Sequence, residues 1–374
     1  MSGIYIHIPY CKQACYYCDF HFSTRLQNTQ QMVDALVSEL KLRKDYLTDP
    51  LIHTLYFGGG TPSILDTSQL KTIVDAVRTH FVLDPEAELT LEANPDDLTP
   101  DKLRALQGIG INRLSIGIQS FDDQILRSFN RSHDRNQALE AVRHAQEIGL
   151  TNLSIDLIFG VPDQSLAMLS HDLDTALSLG TPHVSIYGLT IEEDTVFGRW
   201  HKQNKLTPID EELARQHLIH IMDRLQSAGY QQYEISNFAK ANHQSKHNSS
   251  YWFGTHYLGI GPAAHSYNGH SRQYNIAHNI KYIQGVEEQS LNYELEQLSP
   301  TDKITETILT QLRTAQGVNL AQLRAEHDYD VTQVKNKLLT QLVEEKLVLL
   351  QNDRLLLTHQ GKLLCDSITE GLIP

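Results

Sequence analysis

From about residue 4 to residue 190 the chain alternates short β-type runs with helix-length amphipathic segments, and no other feature restricts its fold as much. Residues 4–8 read as the first strand. Residues 28–45 read as a helix, with Met32, Leu36, Leu40 and Leu47 on one stripe. Further strands are expected at 54–57, 88–92, 113–118, 153–159 and 183–189. Helices are expected between them at 67–81, from Thr99-Pro100 onward, at 135–148 and at 166–179. Gly149 and Gly180 end the last two. Strands separated by helices pair in parallel. The expected fold is therefore α/β, a partial (β/α)6 barrel that curves without closing.

In parallel sheets of this kind, ligand chemistry gathers at the C-terminal ends of the strands. Just after the first expected strand, three of the four cysteines fall within eight residues, as C-x3-C-x2-C: Cys11, Cys15 and Cys18. Three thiolates this close can hold three irons of a cubane cluster and leave the fourth iron open to a small molecule. A structural zinc ion would want four ligands, and His7, the nearest other donor, would lie on the strand face opposite Ile4, Ile6 and Ile8. A disulfide framework would want an even, spread set of cysteines and a secretory leader. The chain instead passes from Met-Ser-Gly straight into Ile4-Tyr5-Ile6-His7-Ile8. Cys365 reads as a small buried hydrophobe in the last helix.

Other polar groups fall at the same rim. Gly58-Gly59-Gly60-Thr61-Pro62 closes the second strand, and glycines there let the backbone approach a ligand and expose amide donors. Glu92, Gln119, Arg131 and Asp156 stand at or just past strand ends. Carboxylates suit ligand hydroxyls, and an arginine suits a ligand carboxylate. Asp156, between Ile155 and Leu157, is expected to point into the barrel.

Beyond residue 205 the pattern changes. A helix is expected at 210–228 and an edge strand at 230–235. Residues 236–274 read as a long loop rich in His, Asn, Gly, Tyr and Trp. Loops of that length are functional or disordered, and the aromatics argue against disorder. From Ser299 come three helices, two short strands around Asn352-Asp353 and a last helix. The expected organisation is a barrel with its cluster loop at 1–235, a His/aromatic-rich connecting segment at 236–290, and a mainly helical, winged-helix-like C-terminal domain at 291–374. The 374 residues carry 31 basic and 45 acidic side chains, a net charge of −14, which weighs against a nucleic-acid surface. No apolar run has the length of a transmembrane span, and no targeting segment is visible. The few cysteines imply a reducing, cytoplasmic setting.

In order and spacing these segments resemble the anaerobic coproporphyrinogen III oxidase family of radical SAM proteins. The likeness covers most of residues 4 to 270. It is carried by Tyr5-Ile6-His7-Ile8-Pro9-Tyr10-Cys11, Cys15-Tyr16-Tyr17-Cys18, Phe57-Gly58-Gly59-Gly60-Thr61-Pro62, Ser115-Ile116-Gly117-Ile118-Gln119-Ser120-Phe121, Asn130-Arg131-Ser132-His133 and Ile155-Asp156-Leu157-Ile158-Phe159-Gly160. The resemblance implies a [4Fe-4S] cluster on Cys11, Cys15 and Cys18, with Tyr5 and Tyr17 beside the cluster and its S-adenosylmethionine (SAM). It implies a SAM pocket of Gly59, Gly60, Thr61, Glu92, Gln119, Arg131 and Asp156. Two departures point away from the decarboxylating members. They carry a further cysteine where this chain has Phe20, and an N-terminal extension where this chain begins its first strand.

Both departures fit the heme-chaperone subgroup of that family, as does His247-Asn248-Ser249-Ser250-Tyr251-Trp252, which matches its HNxxYW element. An imidazole and flat aromatics suit a heme, so His247, Tyr251 and Trp252 are heme-site candidates, with His265 a second candidate imidazole. In a chain with 19 histidines the same residues also fit a structural segment in which Trp252 plugs the barrel. The resemblance thus implies a chaperone that passes heme to an acceptor hemoprotein, a membrane-associated respiratory enzyme being one class, with a homodimer that depends on the cluster. The rivals are oxygen-independent oxidative decarboxylation of coproporphyrinogen III and radical SAM chemistry on an unidentified substrate.

Overall fold

The computed structural model describes residues 2–374. Six strands run parallel in chain order: β1 (Ser2–Ile8), β2 (Leu51–Gly59), β3 (Val82–Ala93), β4 (Arg113–Gln119), β5 (Leu153–Phe159) and β6 (His183–Gly188). The period-2 alternation of a strand sorts their side chains. Ile4, Ile6 and Ile8 are buried against the outer helices, while Tyr5 and His7 face the barrel interior. Helix Thr29–Leu42 lays Met32, Val33, Leu36 and Leu40 on that core. Each such side chain contributes roughly 1.5–3 kcal/mol by leaving water.

The segment read as a long loop contains four short strands and a helix. After β7 (Gln231–Glu234) come β8 (Asn237–Ala239), the helix Lys246–Trp252, β9 (His256–Ile260), β10 (His265–Tyr267) and β11 (Ser271–Asn275), followed by β12 (Tyr293–Gln297). β9 lies parallel to β1 on the side away from β2, so the barrel gains a seventh parallel strand. The full sheet has twelve strands in the order β12-β11-β10-β9-β1-β2-β3-β4-β5-β6-β8-β7 and stays open at both ends. These late strands are three to five residues long, too short to show alternation.

Their placement rests on a buried polar network. Glu39, on the apolar face of the first helix, accepts from Gly261 N (2.8 Å), Asn275 Nδ2 (2.8 Å) and the Tyr282 hydroxyl (2.5 Å), and pairs with Arg43 (3.2 Å). Arg43 donates to Gly259 O, Ser266 Oγ and Gln273 Oε1. A Cβ on Gly261 (φ +107°) would stand 2.6 Å from His7 O, so the turn out of β9 fits only glycine.

The C-terminal unit has a core of its own, built from Ile304, Ile308, Leu312, Leu323, Leu339 and Leu355 among others. Helix Pro300–Leu312 leads to β13 (Val318–Asn319), three short helices and the hairpin β14 (Val348–Gln351)–β15 (Arg354–Leu357). The hairpin turns on Asn352 and Asp353 at φ +52° and +55°, the left-handed pair that a two-residue turn needs. Among the described residues no helix is long and apolar enough to cross a membrane.

Candidate functional site

The strand ends open on a cavity of about 470 Å³ lined by Cys11, Cys15, Cys18, Tyr17, Gly59, Gly60, Thr61, Glu92, Gln119, Arg131 and Asp156. Eleven of the residues picked out from the sequence therefore share one wall. The cysteines are unpaired. Cys11 Sγ accepts from the Thr61 hydroxyl at 3.4 Å and Cys15 Sγ from Arg131 Nη1 at 3.2 Å. No trio of His, Cys, Asp or Glu side chains among the described residues converges tightly enough for a single metal ion. His7 is also spent: its Nδ1 meets the Tyr5 hydroxyl (3.1 Å) and its Nε2 meets His21 O (2.9 Å).

The polar groups divide by job. Tyr56 donates to Glu92 at 2.7 Å. Burial pushes the Glu92 carboxyl up to about 7, against the hydrogen bond from Tyr56 and together with the charge of Asp156. Asp156 points into the barrel and accepts from Ser115 at 3.1 Å on each carboxylate oxygen. Burial raises its carboxyl too, and Ser115 and Arg113 hold it back. Gln119 closes β4 at φ +73°, a strained conformation of the kind that collects at ligand sites.

Three expectations change. The first concerns the glycine turn, whose amides are not free donors: Gly60 N binds Ile8 O (2.9 Å) and Thr61 N binds Tyr10 O (2.7 Å). The second concerns Arg131, which is not an open fork. Its Nη2 donates to Asn94 Oδ1 (2.7 Å) and Gly117 O (2.6 Å), and only the buried Nε has no partner. The third concerns Tyr5, which belongs to a different wall, stacked on Tyr56 and lining a second cavity.

That second cavity, of about 770 Å³, lies between the barrel and the C-terminal unit. Tyr251, Trp252, Tyr257 and Tyr267 give it aromatic walls, and Asp19 and Phe20 border both cavities. The helix Lys246–Trp252 is the partition. Asn248 faces the cysteine cavity, while Tyr251 and Trp252 face the aromatic one. His247 pins this helix inside the barrel: Nδ1 meets Thr54 Oγ1 and Nε2 meets the Tyr251 hydroxyl, both at 2.8 Å. Its ring stacks on Tyr56 at 4.9 Å, and its backbone N–H donates to Glu88. Burial holds the imidazole down at about 3. With both nitrogens engaged, His247 offers no lone pair to a ligand in this arrangement, which corrects its reading as a heme-iron candidate. Trp252 contributes a buried Nε1 with no partner.

Sequence reasoning missed Tyr56, Ser115 and Asn248. For Tyr56 and Ser115 the signal was present, since alternation along β2 and β4 turns them inward with Gly58 and Gly117. For Asn248 the signal was its place in the HNxxYW segment, but that it faces the cysteine cavity comes from where the helix docks.

Comparison with known proteins fits this geometry. The Radical SAM superfamily model matches residues 5–176, and the HemN C-terminal domain model matches residues 298–364. The heme chaperone HemW of Bacillus subtilis (strain 168) is 36% identical over 374 residues, covering 98% of each chain. HemW of Mycobacterium tuberculosis H37Rv is 35% identical over 99% of this chain and 94% of its own. HemW of Escherichia coli K12 is 39% identical over 70% of this chain and 69% of its own. Among solved structures, E. coli coproporphyrinogen III oxidase (HemN), described as a radical SAM enzyme, superposes with a TM-score of 0.86 at 26% identity, covering 100% of this chain and 90% of that one. The chain belongs to the HemW family within the radical SAM superfamily.

Proposed function

We propose that this protein is a heme chaperone that carries a [4Fe-4S] cluster and SAM in its cysteine cavity, holds heme in the neighbouring aromatic cavity, and passes the heme to an acceptor hemoprotein. The observation that carries the reading is the pair of cavities separated by the His247–Trp252 partition in a chain whose near-full-length relatives are named heme chaperones.

The donor set fits the cluster. Three unpaired thiols stand on one cavity wall, and Thr61 and Arg131 already donate to two of the sulfurs. A cluster would be held by Cys11, Cys15 and Cys18 and would supply an iron without a protein ligand, open to SAM, together with one-electron chemistry. Around it, an ammonium group, which only donates, would be met by carbonyl oxygens of the Gly58–Gly60 turn. Ribose hydroxyls would be met by the Glu92 and Asp156 carboxylates. Arg131 then acts on the cluster, placing positive charge against the Cys15 sulfur.

Phe20 supports transfer over decarboxylation. It is 68% exposed on the lip shared by the two cavities, at the position where the decarboxylating relatives carry a cysteine. We place the protein in the cytoplasm, where a labile cluster keeps its thiolates reduced. The acceptor would be a hemoprotein such as a membrane-associated respiratory enzyme, and a homodimer dependent on the cluster would be the loaded form.

Anaerobic hemin titration of the reconstituted protein, followed at the Soret band, tests the reading. Saturable binding near one heme per chain is expected, with no protoporphyrinogen formed from coproporphyrinogen. Absence of specific binding, or turnover to protoporphyrinogen, overturns it.

A further inference from the structure

We propose that heme is seated in the aromatic cavity with its iron on His265 and a propionate on Lys303, an inference that rests on the chaperone reading above. Four histidines line this cavity: His7, His21, His265 and His327. His7 has both ring nitrogens engaged. His21 gives Nε2 to Asn279 at 2.7 Å. His327 stands 3.9 Å from the Glu326 carboxylate. His265 has no hydrogen-bond partner among the described residues and only an edge contact with the Tyr274 ring (4.5 Å, 77°).

The surroundings leave this imidazole open to an iron. His265 is exposed at the cavity wall, and neither ring nitrogen is engaged among the described residues. Its strand is held rigidly. β10 is fixed through Ser266 to the buried Arg43–Glu39 pair, and Gly259 approaches so closely that a Cβ there would overlap the His265 carbonyl. The turn that delivers the strand contains Ala263 at φ +59°, a strained non-glycine residue in the cavity wall.

The two cations of this wall are unequally engaged. Arg272 is already paired with Glu306 (2.9 Å) and lies over Tyr267 (5.4 Å). Glu326 and Asp19 add negative charge at the rim. Lys303 is the cation of this wall with no ion pair among the described residues, so it is the group open to a propionate. Trp252 and Tyr251 supply flat faces, and the cavity volume lies inside the roughly 300–1,000 Å³ range of cofactor pockets.

The test compares the full-length, cluster-loaded protein with His265→Ala, His265→Cys, Lys303→Gln and His327→Ala, using hemin as the probe. Retained cluster absorbance and far-UV circular dichroism show that each variant is folded. His265→Ala is expected to weaken hemin binding by about tenfold or more, and Lys303→Gln by about threefold to tenfold, the scale of one lost ligand or charge-assisted contact. His265→Cys is expected to replace the imidazole signature of the bound heme with a thiolate one in the visible and electron paramagnetic resonance spectra. A structural role for His265 would not produce that change. If the wild-type protein binds one heme and His265→Cys leaves the ligand signature unchanged, the seat is wrong while the chaperone reading stands. A shift of the signature in His327→Ala instead also overturns the assignment. If the wild-type protein binds no heme, the functional reading itself falls.

Discussion

At the residue scale, His247 and Glu92 carry opposite lessons. His247 looks from its motif like a ligand, yet it lies fully buried between Thr54, Tyr56 and Tyr251. His247→Ala should therefore cost about 2–4 kcal/mol, the loss of a packed ring and two hydrogen bonds. The heme that still binds should keep its ligand signature. Thermal denaturation and the Soret spectrum together check this, and a changed signature at unchanged stability would contradict it. Glu92 looked like any rim carboxylate, but burial lifts it to about 7. A ribose hydroxyl donates better to the carboxylate than to the acid, so SAM affinity should rise as pH climbs through about 7. Tyr56 stabilises the charged form through its 2.7 Å hydrogen bond. Tyr56→Phe should move that midpoint to higher pH, as SAM titrations at pH 6, 7 and 8 would reveal. The neighbouring charges of Asp156 and Arg113 act on the same carboxyl with opposite signs.

At the scale of elements, the parallel strands announce themselves and the late strands do not. The six βα units are legible because each strand carries an apolar run and each helix an apolar stripe, and because glycine stops such as Gly149 and Gly180 mark the boundaries. β8 to β11 are legible only after the fact. They are three to five residues long and held by partners distant in sequence. Glu39 is the plainest case: it sits at 0% exposure on a helix face read as apolar, and it binds four groups, three of them more than 200 residues away. Glu39→Ala should leave Arg43 buried and unpaired and cost about 3–5 kcal/mol. Hydrogen exchange should then rise first in β9 to β11, while β3 to β5 remain protected. Uniform loss of protection across the sheet would show that the network is not a local clamp.

At the scale of the whole molecule, two cavities share one lip and one partition. The cysteine loop is largely irregular chain, tied down by a bridge between Tyr10 and Ser23 and by hydrogen bonds to Phe129 and Asn130. The aromatic cavity is walled by sheet on one side and by the helix Pro300–Leu312 on the other. Because, among the described residues, only Asp19 and Phe20 line both, occupancy of one should tune the other without controlling it. Cys15→Ala should abolish the cluster, seen as loss of bound iron and of cluster absorbance, yet leave hemin affinity within about tenfold, the size of a modest coupling energy. Complete loss of heme binding in that variant would show that the two sites form a single one.

By itself the sequence determined the parallel α/β frame and the three thiols, because both depend on local properties: side-chain periodicity, glycine stops and ligand spacing along one loop. It also placed Gly59, Glu92, Gln119 and Asp156 at one rim, since strand ends in a parallel sheet converge. Only the tertiary structure decided the fates of His247, Arg131 and Tyr5. Whether an imidazole, a guanidinium or a phenol is free to bind depends on which groups fold back against it. Those groups are Thr54 and Tyr251 for His247, Asn94 and Cys15 for Arg131, and His7 for Tyr5. Most of them lie tens to hundreds of residues away along the chain, and even the near ones are set by how a helix or strand docks.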